Sequence, residues 1–174
     1  VDHFSAFAGG TGYNANLTIW DGTDNIVKYI NNTIYFYANY TNSTSGNSVN
    51  GSDINCTFSE NSDGSWATAV NMTFNSTTKQ YQYNKTFNAS GEFSFNITCN
   101  GGVLGYDNLS AADNFIVGCN WPSGNWVVNQ NTKCVSININ LTGNLTINST
   151  GNLTLTRVNL TIKITADGDS YIKK

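Results

Sequence analysis

Short segments in which apolar and polar residues alternate recur along most of this 174-residue chain. The alternation is clearest in residues 33–40 and 93–98, where every second side chain is apolar. Because successive side chains of a β-strand point to opposite faces, this period of two predicts strands that bury one face. Eight such segments precede residue 118: Asn16–Trp20, Ile26–Ile30, Thr33–Tyr40, Ile54–Phe58, Ala67–Phe74, Tyr81–Phe87, Glu92–Thr98 and Asn114–Val117.

Clusters of Asn, Gly, Ser and Asp separate these segments. Seven or eight strands spaced by about 8–12 residues predict an all-β fold with a β-sandwich. No window shows convincing helical periodicity with capping residues, apart from one candidate helical turn at Leu109–Asp113.

The polar positions are filled mostly by uncharged residues. The chain has 29 Asn, 21 Thr, 16 Ser and 16 Gly, whereas charged residues make up only 11%. An aromatic content of 13% is too high for a disordered polar chain, so a folded core is expected. Eight basic residues and a net charge of −3 argue against nucleic acid as a partner. No apolar run approaches the roughly 18 residues of a membrane span.

The most frequent motif is the N-glycosylation acceptor Asn-x-Ser/Thr, which occurs 17 times. Random placement of the asparagines would give about 6 matches. We expect dense N-glycosylation outside the cell, with sugars supplying the solvation that charged residues usually provide. The alternative is a strand-rich composition in which Asn-Leu-Thr recurs for packing reasons. The acceptors are Asn16, Asn31, Asn39, Asn42, Asn50, Asn55, Asn71, Asn75, Asn84, Asn88, Asn96, Asn108, Asn140, Asn144, Asn148, Asn152 and Asn159.

The four cysteines, Cys56, Cys99, Cys119 and Cys134, form no C-x-x-C motif and have no partnering histidine, so no zinc site is expected. An even number of cysteines outside the cell predicts two disulfides, for which three pairings exist. We favour Cys56–Cys99, with the two residues facing each other across two sheets. Cys119–Cys134 would then close a local loop worth about 3 kcal/mol. The chain also begins without Met, which indicates a removed secretion signal or an excised fragment.

Residues 119–174 have a different pattern. Gly-Asn-Leu-Thr-Ile at 143–147 returns as Gly-Asn-Leu-Thr-Leu at 151–155, and Asn-Leu-Thr-Ile at 159–162 echoes both. Such short repeats are typical of a β-solenoid, and an antiparallel meander is an equal alternative. Because a solenoid needs about three stacked coils to bury its apolar face, either the chain continues further or another molecule covers the open end.

Three phrases carry a resemblance to a known family. They are Asn-Leu-Thr-Ile-Trp-Asp at 16–21, Tyr-Phe-Tyr-Ala-Asn-Tyr at 35–40 and Tyr-Asn-Lys-Thr-Phe at 83–87. These phrases resemble Ig-like modules of large secreted archaeal cell-surface proteins. In such modules Cys-x-Trp…Trp…Cys and Gly-Asn-Leu-Thr repeats lead toward a right-handed β-helix, similar to residues 119–155 here. The resemblance covers about residues 14–165 and implies an Ig-like β-sandwich, a cell-surface setting and no enzymatic activity.

The chain therefore divides into an N-terminal extension at 1–13, an Ig-like β-sandwich at 14–118, and a disulfide loop plus β-repeat segment at 119–174. The extension carries Phe4 and Phe7 ahead of a Gly-rich break. We predict that Phe4 and Phe7 make a subunit contact by completing the sheet of a neighbouring chain, as in donor-strand complementation.

Residues suited to catalysis are few. His3 is the only histidine, which argues against triad chemistry and against metal chemistry based on histidine. Glu60 and Glu92 are candidate glycosidase carboxylates, but Glu60 lies in a turn-like phrase where a solvated carboxylate is the better interpretation. We predict no enzyme, no catalytic residue and no cofactor.

Two turn phrases are rich in carboxylates, Asp-Gly-Thr-Asp-Asn at 21–25 and Asp-Gly-Asp at 167–169. Both are candidate Ca²⁺ corners, but neither has the twelve-residue EF-hand spacing and both are ordinary turn sequences, so no metal is predicted. Tyr13, Trp66 and Trp121 are candidate exposed aromatics for stacking on sugars.

The sequence predicts a structural subunit of an extracellular, heavily N-glycosylated cell-surface assembly, a filament or layer built through strand contacts. The expected partners are further copies of the chain and N-linked glycans. The alternative is an adhesin-type binding module that recognises carbohydrate or a partner cell surface.

Overall fold

A computed structural model describes residues 4–7, 13–24, 26–163 and 172–173. These residues contain no α-helix and a single 3-10 turn at Gly102–Leu104. Their strands are β1 (Phe4–Phe7), β2 (Ala15–Asp21), β3 (Lys28–Tyr29), β4 (Thr33–Asn42), β5 (Asn55–Glu60), β6 (Val70–Asn71), β7 (Thr73–Asn75), β8 (Gln80–Thr86), β9 (Gly91–Asn100), β10 (Leu109–Gly118), β11 (Trp126–Val128), β12 (Asn131–Val135), β13 (Asn138–Leu141), β14 (Leu145–Ile147), β15 (Asn152–Thr156), β16 (Asn159–Ile162) and β17 (Ile172–Lys173).

The chain forms two compact units. The first comprises Val1–Ile26, Thr33–Thr86 and Phe93–Phe115, and the second comprises Val27–Asn32, Phe87–Glu92 and Ile116–Lys174. The second unit therefore starts slightly before the predicted boundary and includes two earlier segments. One reason is that β3 pairs in parallel with the end of β10, at Val117 and Gly118.

The predicted all-β class with a β-sandwich is confirmed. One sheet has the strand order β1-β2-β4-β8-β7, and the other has the order β3-β10-β9-β5-β6. Neighbouring strands of the first sheet are antiparallel throughout. Inward positions of β2, β4 and β5 are apolar apart from Asp21 and Glu60, and outward positions are mainly Asn, Thr, Ser and Tyr, as the alternation in the sequence requires.

The ring of Phe36 lies at the centre of the sandwich core. Its centroid is 4.4 Å from that of Phe58, 5.0 Å from that of Phe95 and 5.1 Å from that of Phe115. Phe36 belongs to the first sheet and the other three rings to the second, and all four are buried. Burial of a Phe side chain contributes about 1.5–3 kcal/mol, and each favourable ring pair adds about 0.5–1.5 kcal/mol. This cluster therefore holds the two sheets together.

Both favoured disulfides are present, but one lies elsewhere than expected. Cys56 and Cys99 are direct partners on the neighbouring strands β5 and β9, with their Cα atoms 4.0 Å apart. The expectation that they face each other across two sheets is wrong, and the bond instead fixes the register within one sheet. Cys119 and Cys134 are bonded inside the core of the second unit.

Two predicted elements differ from those observed. The candidate helical turn at Leu109–Asp113 is wrong, because these residues begin β10 and continue its alternation of buried and exposed side chains. The predicted strand Ala67–Phe74 is replaced by the short strands β6 and β7, which pair with different sheets. Met72 lies buried between them, and its N–H donates to the carbonyl of Cys56, so the chain changes sheets at this residue.

The second unit contains stacked parallel strands. β11, β12 and β13 form a first coil, β14, β15 and β16 form a second, and β17 pairs with β14. Asn131 pairs with Asn152 and Asn138 with Asn159, a step of 21 residues. Parallel pairing at this step is the solenoid-like arrangement, whereas an antiparallel meander would pair consecutive strands.

The Asn-Leu-Thr repeat marks the three sides of one coil. Leu145, Leu153 and Leu160 lie on β14, β15 and β16, which are successive strands of the second coil. The eight-residue step in the sequence therefore relates neighbouring sides of the same coil and not one coil to the next.

Close backbone contacts between coils require small residues at the corners. A Cβ atom on Gly151 would lie 2.7 Å from the carbonyl carbon of Val128 in the coil below. At another corner, Ser136 and Arg157 both have left-handed φ angles, of 51° and 53°. The Nε atom of Arg157 donates to Oγ of Ser136 at 3.0 Å, so equivalent corners of the two coils are bonded.

Gly151→Ala is expected to lower the free energy of unfolding by about 1–3 kcal/mol, because the added methyl group meets backbone that cannot rotate away. Gly124→Ala is the matched control, since no atom lies within 4 Å of the Cβ position there. Its effect should stay within about 0.5 kcal/mol. Denaturant unfolding of both variants measures the difference, and equal effects would contradict the described stacking.

Candidate functional site

All 17 acceptor asparagines lie in the described residues, and none of them is buried. Exposed acceptors are Asn31, Asn50, Asn55, Asn71, Asn84, Asn88, Asn108, Asn140, Asn148, Asn152 and Asn159. Half-buried acceptors are Asn16, Asn39, Asn42, Asn75, Asn96 and Asn144. The other described asparagines are not buried either, so exposure does not distinguish the acceptors from them. The expectation of glycosylation therefore rests on the number of motifs.

Hydrogen bonds at Nδ2, the atom that would carry the sugar, separate the acceptors into two groups. The Nδ2 atom of Asn42 donates to the hydroxyl of Tyr106 at 3.2 Å, and its Oδ1 accepts from the N–H groups of Thr44 and Ser45. Nδ2 also donates in Asn50, Asn55, Asn75 and Asn96. Seven exposed acceptors make no side-chain hydrogen bond to any described residue: Asn31, Asn84, Asn88, Asn140, Asn148, Asn152 and Asn159.

The segment predicted to make a subunit contact is an edge strand. Phe4 and Phe7 are the ends of β1, which pairs antiparallel with β2 of the same chain and lies at the edge of the first sheet. Ser5 faces Thr18 in this register, with their hydroxyl oxygens 3.4 Å apart. Exchange of this strand between chains remains a prediction.

The second coil of the solenoid buries its apolar residues less than the first. Ile139 and Leu141 on β13 are inaccessible to solvent, whereas Leu160 and Ile162, their partners on β16, are half-buried. Leu155 on β15 is 37% exposed. The described part of this coil therefore presents apolar side chains and strand hydrogen-bonding groups on one side.

A cluster of carboxylates lies in the first unit. Asp21, Asp24 and Asp113 each bring an oxygen to within 4.8 Å of the others. Asp21 ends β2, Asp24 follows in the turn, and Asp113 lies on β10 of the other sheet. The other acidic and amide residues of the two candidate Ca²⁺ corners, Asn25, Asp167 and Asp169, lie outside the described residues, as does His3.

Sequence reasoning found Asp21 and Asp24 but missed Asp113. A signal was present, because Asp113 is two residues before the buried Phe115 and thus on the same inward face of a strand. Burial raises the pKa of Asp21 to about 6, against the lowering effect of hydrogen bonds from Thr23, and the charges of Asp24 and Asp113 raise it further.

Glu60 is not the solvated turn carboxylate that the sequence suggested. It is the last residue of β5, is 2% exposed, and its Oε1 atom lies 2.6 Å from Nζ of Lys85. Burial acts to raise the pKa of Glu60, but hydrogen bonds from Lys85 and Ser62 outweigh it and hold the pKa below its ordinary value of 4.5. The alternation that places Phe58 inside also places Glu60 inside.

Glu92, the other candidate glycosidase carboxylate, belongs to the second unit and pairs with Arg157 there at 2.5 Å. Both side chains of this pair are substantially exposed, at 43% for Glu92 and 58% for Arg157. Each of the two candidate carboxylates is therefore neutralised by its own cation.

The outer face of the first sheet carries a row of aromatic side chains that sequence reasoning did not single out. The rings of Trp20 and Tyr37 are stacked with centroids 5.4 Å apart, and those of Tyr37 and Tyr35 with centroids 6.3 Å apart. Tyr35 is 45% exposed. The signal was the alternation in β4, which turns Tyr35 and Tyr37 outward when Ile34 and Phe36 point inward.

The three aromatics that were predicted to be exposed differ among themselves. Tyr13 and Trp66 are exposed, at 64% and 54%. Trp121 is half-buried, packs against the core of the second unit and makes an edge contact with Tyr29, so the prediction is wrong for this residue.

Comparison with known proteins leaves the chain without an assigned relative. No family model, no curated protein and no solved structure matches it. Among the described residues, no helix has the length and apolar character needed to cross a membrane.

Lys85→Met is expected to lower the free energy of unfolding at pH 7 by about 2–3 kcal/mol, because it leaves the buried Glu60 carboxylate without its cation. In the wild type, Glu60 stabilises the fold above about pH 4.5, and this contribution is lost as the pH falls through its lowered pKa. The difference between variant and wild type should therefore shrink in acid. Denaturant titrations at several pH values measure it.

Glu92→Gln provides the control, since it disrupts the exposed pair with Arg157 and should cost little at any pH. A Lys85→Met deficit that is independent of pH would contradict the role assigned to the Glu60 pair.

Proposed function

We propose that this protein is a structural module of an extracellular, N-glycosylated cell-surface assembly. The observation that carries the proposal is the set of 17 acceptor motifs, about threefold more than chance, on asparagines none of which is buried. These acceptors are spread over both units and over both sheets of the sandwich. Two disulfides and a surface poor in charge fit an oxidising environment outside the cell.

The strand order supports an Ig-like fold for the sandwich, which the resemblance to cell-surface modules implies. The sequence of strands β2-β4-β8-β7 in one sheet and β10-β9-β5-β6 in the other corresponds to the order of an immunoglobulin-type sandwich. The bond between Cys56 and Cys99 joins neighbours in one sheet, unlike the inter-sheet disulfide of antibody domains.

Assembly would use the strand edges. Both β1, at the edge of the first sheet, and the second coil offer backbone hydrogen-bonding groups, and the second coil adds the partly exposed side chains of Leu155 and Ile162. Addition of a strand to such an edge is a recurrent way to join chains.

The aromatic row favours a second candidate function, carbohydrate binding by an adhesin-type module. Trp20, Tyr37 and Tyr35 form a stacked outward surface of the kind that packs on sugar rings. Binding of a purified, monomeric protein to glycans on an array, lost in Tyr35→Ala, would favour this function over assembly.

We expect glycan occupancy to be higher at acceptor asparagines whose side chains make no hydrogen bond to described residues. Glycopeptide mass spectrometry of protein isolated from its source should find sugar on most copies of the seven acceptors without side-chain hydrogen bonds. Asn42, whose Nδ2 and Oδ1 are both bonded, should be the least occupied acceptor. Unmodified peptides at all seven free acceptors would contradict the proposed glycoprotein.

Strand exchange can be tested by mixing two variants that each gain one cysteine, one carrying Ser5→Cys and the other Thr18→Cys. Because residues 5 and 18 face each other in the β1–β2 register, a covalent heterodimer forms only if β1 of one chain lies on β2 of the other. We expect heterodimers in oxidised, assembled material on a non-reducing gel.

The control pairs the Ser5→Cys chain with a Thr98→Cys chain, whose cysteine lies on β9 of the other sheet. Heterodimers with Thr98→Cys at the same yield would show nonspecific cross-linking. Their absence in both mixtures would contradict strand exchange through β1.

A further inference from the structure

Three carboxylates meet in the first unit although they come from distant parts of the chain. Asp21 and Asp113 occupy inward-facing positions of β2 and β10, in the two opposite sheets, and Asp24 reaches them from the turn after β2. Their nearest oxygens all lie within 4.8 Å of one another. In a sandwich core, such positions are normally occupied by apolar side chains.

The buried end of Asp21 lacks a partner. The residue is 3% exposed, and its Oδ2 atom is inaccessible to solvent and makes no hydrogen bond to any described residue. Its Oδ1 atom accepts from the N–H of Thr23 at 2.6 Å. The charges that act on Asp21 are those of Asp24 and Asp113, both negative. Burial of a carboxylate oxygen is costly unless hydrogen bonds or a cation compensate it.

The contrast with Glu60 shows how the same fold treats another buried carboxylate. Glu60 is equally inaccessible, but Lys85 and the N–H of Ser62 bind its two oxygens at 2.6 and 2.5 Å. Among the described residues, Asp21 has the burial of Glu60 without such a cationic side chain, which points to a bound cation.

We propose that Asp21, Asp24 and Asp113 bind a calcium ion. Calcium binds six to eight oxygens at about 2.3–2.6 Å, so two oxygens on one ion lie at most about 4.6–5.2 Å apart, a range that includes the 4.8 Å within which the three carboxylates meet. The donors are all oxygen, without a histidine or cysteine, which excludes a preference for zinc or copper. Carboxylates on two sheets and a turn give an irregular arrangement, which suits calcium better than the octahedral demands of magnesium.

Bound calcium would join the two sheets. Asp21 is on the first sheet and Asp113 on the second, so one ion would tie strands of the two sheets together. A ligand that binds only the folded state stabilises it in proportion to its concentration over its dissociation constant. The inference is independent of glycosylation and assembly.

The test uses the full chain, stripped of metal with a chelator and unfolded by heat in the presence and absence of 5 mM calcium chloride. This concentration is about 5–50 times the dissociation constants of about 10⁻⁴–10⁻³ M that are typical of extracellular calcium modules. At this excess we expect the unfolding midpoint to rise by about 2–9 °C. Terbium provides a second readout, because Trp20 immediately precedes Asp21 and can excite the bound ion. Calcium should displace the terbium luminescence.

Asp113→Asn and Asp24→Asn should abolish both the thermal shift and the terbium signal. Asp24→Asn removes one of three like charges, so without metal this variant should unfold at or above the wild-type midpoint, which separates loss of binding from loss of folding. Asp53→Asn, at an exposed position of the same unit, is the matched control and should keep the full response.

Two results would overturn the proposal. If neither calcium nor terbium changes the wild-type protein, the carboxylates hold no ion. If the calcium shift persists undiminished in both Asp113→Asn and Asp24→Asn, the ion binds elsewhere in the chain.

Discussion

The packing of Phe36 against three phenylalanines of the opposite sheet is the interaction on which the first unit depends. It fixes which face of β4 points inward, and the period of two then fixes every outward position on that strand. The aromatic row and the acceptor Asn39 lie on the outer face for this reason. A slip of one residue would bury the tyrosines and the acceptor and expose the core.

Two inward-facing positions of the sandwich, Glu60 and Asp21, carry an acidic side chain instead of an apolar one, and their surroundings differ. Glu60 takes an internal cation, Lys85, from a neighbouring part of the sandwich. Asp21 meets further carboxylates, Asp24 and Asp113, and no described residue supplies it with a comparable counter-charge. Burial of a polar group costs free energy unless hydrogen bonds or a counter-charge compensate it. Buried positions that carry a charged residue are therefore candidates for a functional site.

Sequence patterning predicted the all-β class and the sandwich from local alternation. It predicted two disulfides from the cysteine number, and it favoured the observed pairing because Cys56 and Cys99 lie at the ends of strand patterns. It placed Cys56 and Cys99 on opposite sheets, since strand pairing over 43 residues is not a local property. It treated Glu60 as solvated for the same reason, because Lys85 is 25 residues away in the sequence. Asp113 was missed because its stretch, Leu-Ser-Ala-Ala-Asp, contains small residues that weaken the strand pattern.

The close stacking of hydrogen-bonded strands in the second unit also limits how many stacked asparagines could carry glycans. Strands in a sheet are about 4.8 Å apart, which is too close for branched sugars on directly stacked residues. Asn152 and Asn159 are acceptors, whereas Asn131 and Asn138 beneath them are followed by Thr-Lys and Ile-Asn and are not. Each of these two stacked asparagine pairs thus contains one acceptor motif, on the residue of the second coil. In a longer solenoid of this kind, glycosylated strands would have to alternate with unglycosylated ones. The spacing of the glycans along the solenoid would then be a multiple of the distance between hydrogen-bonded strands.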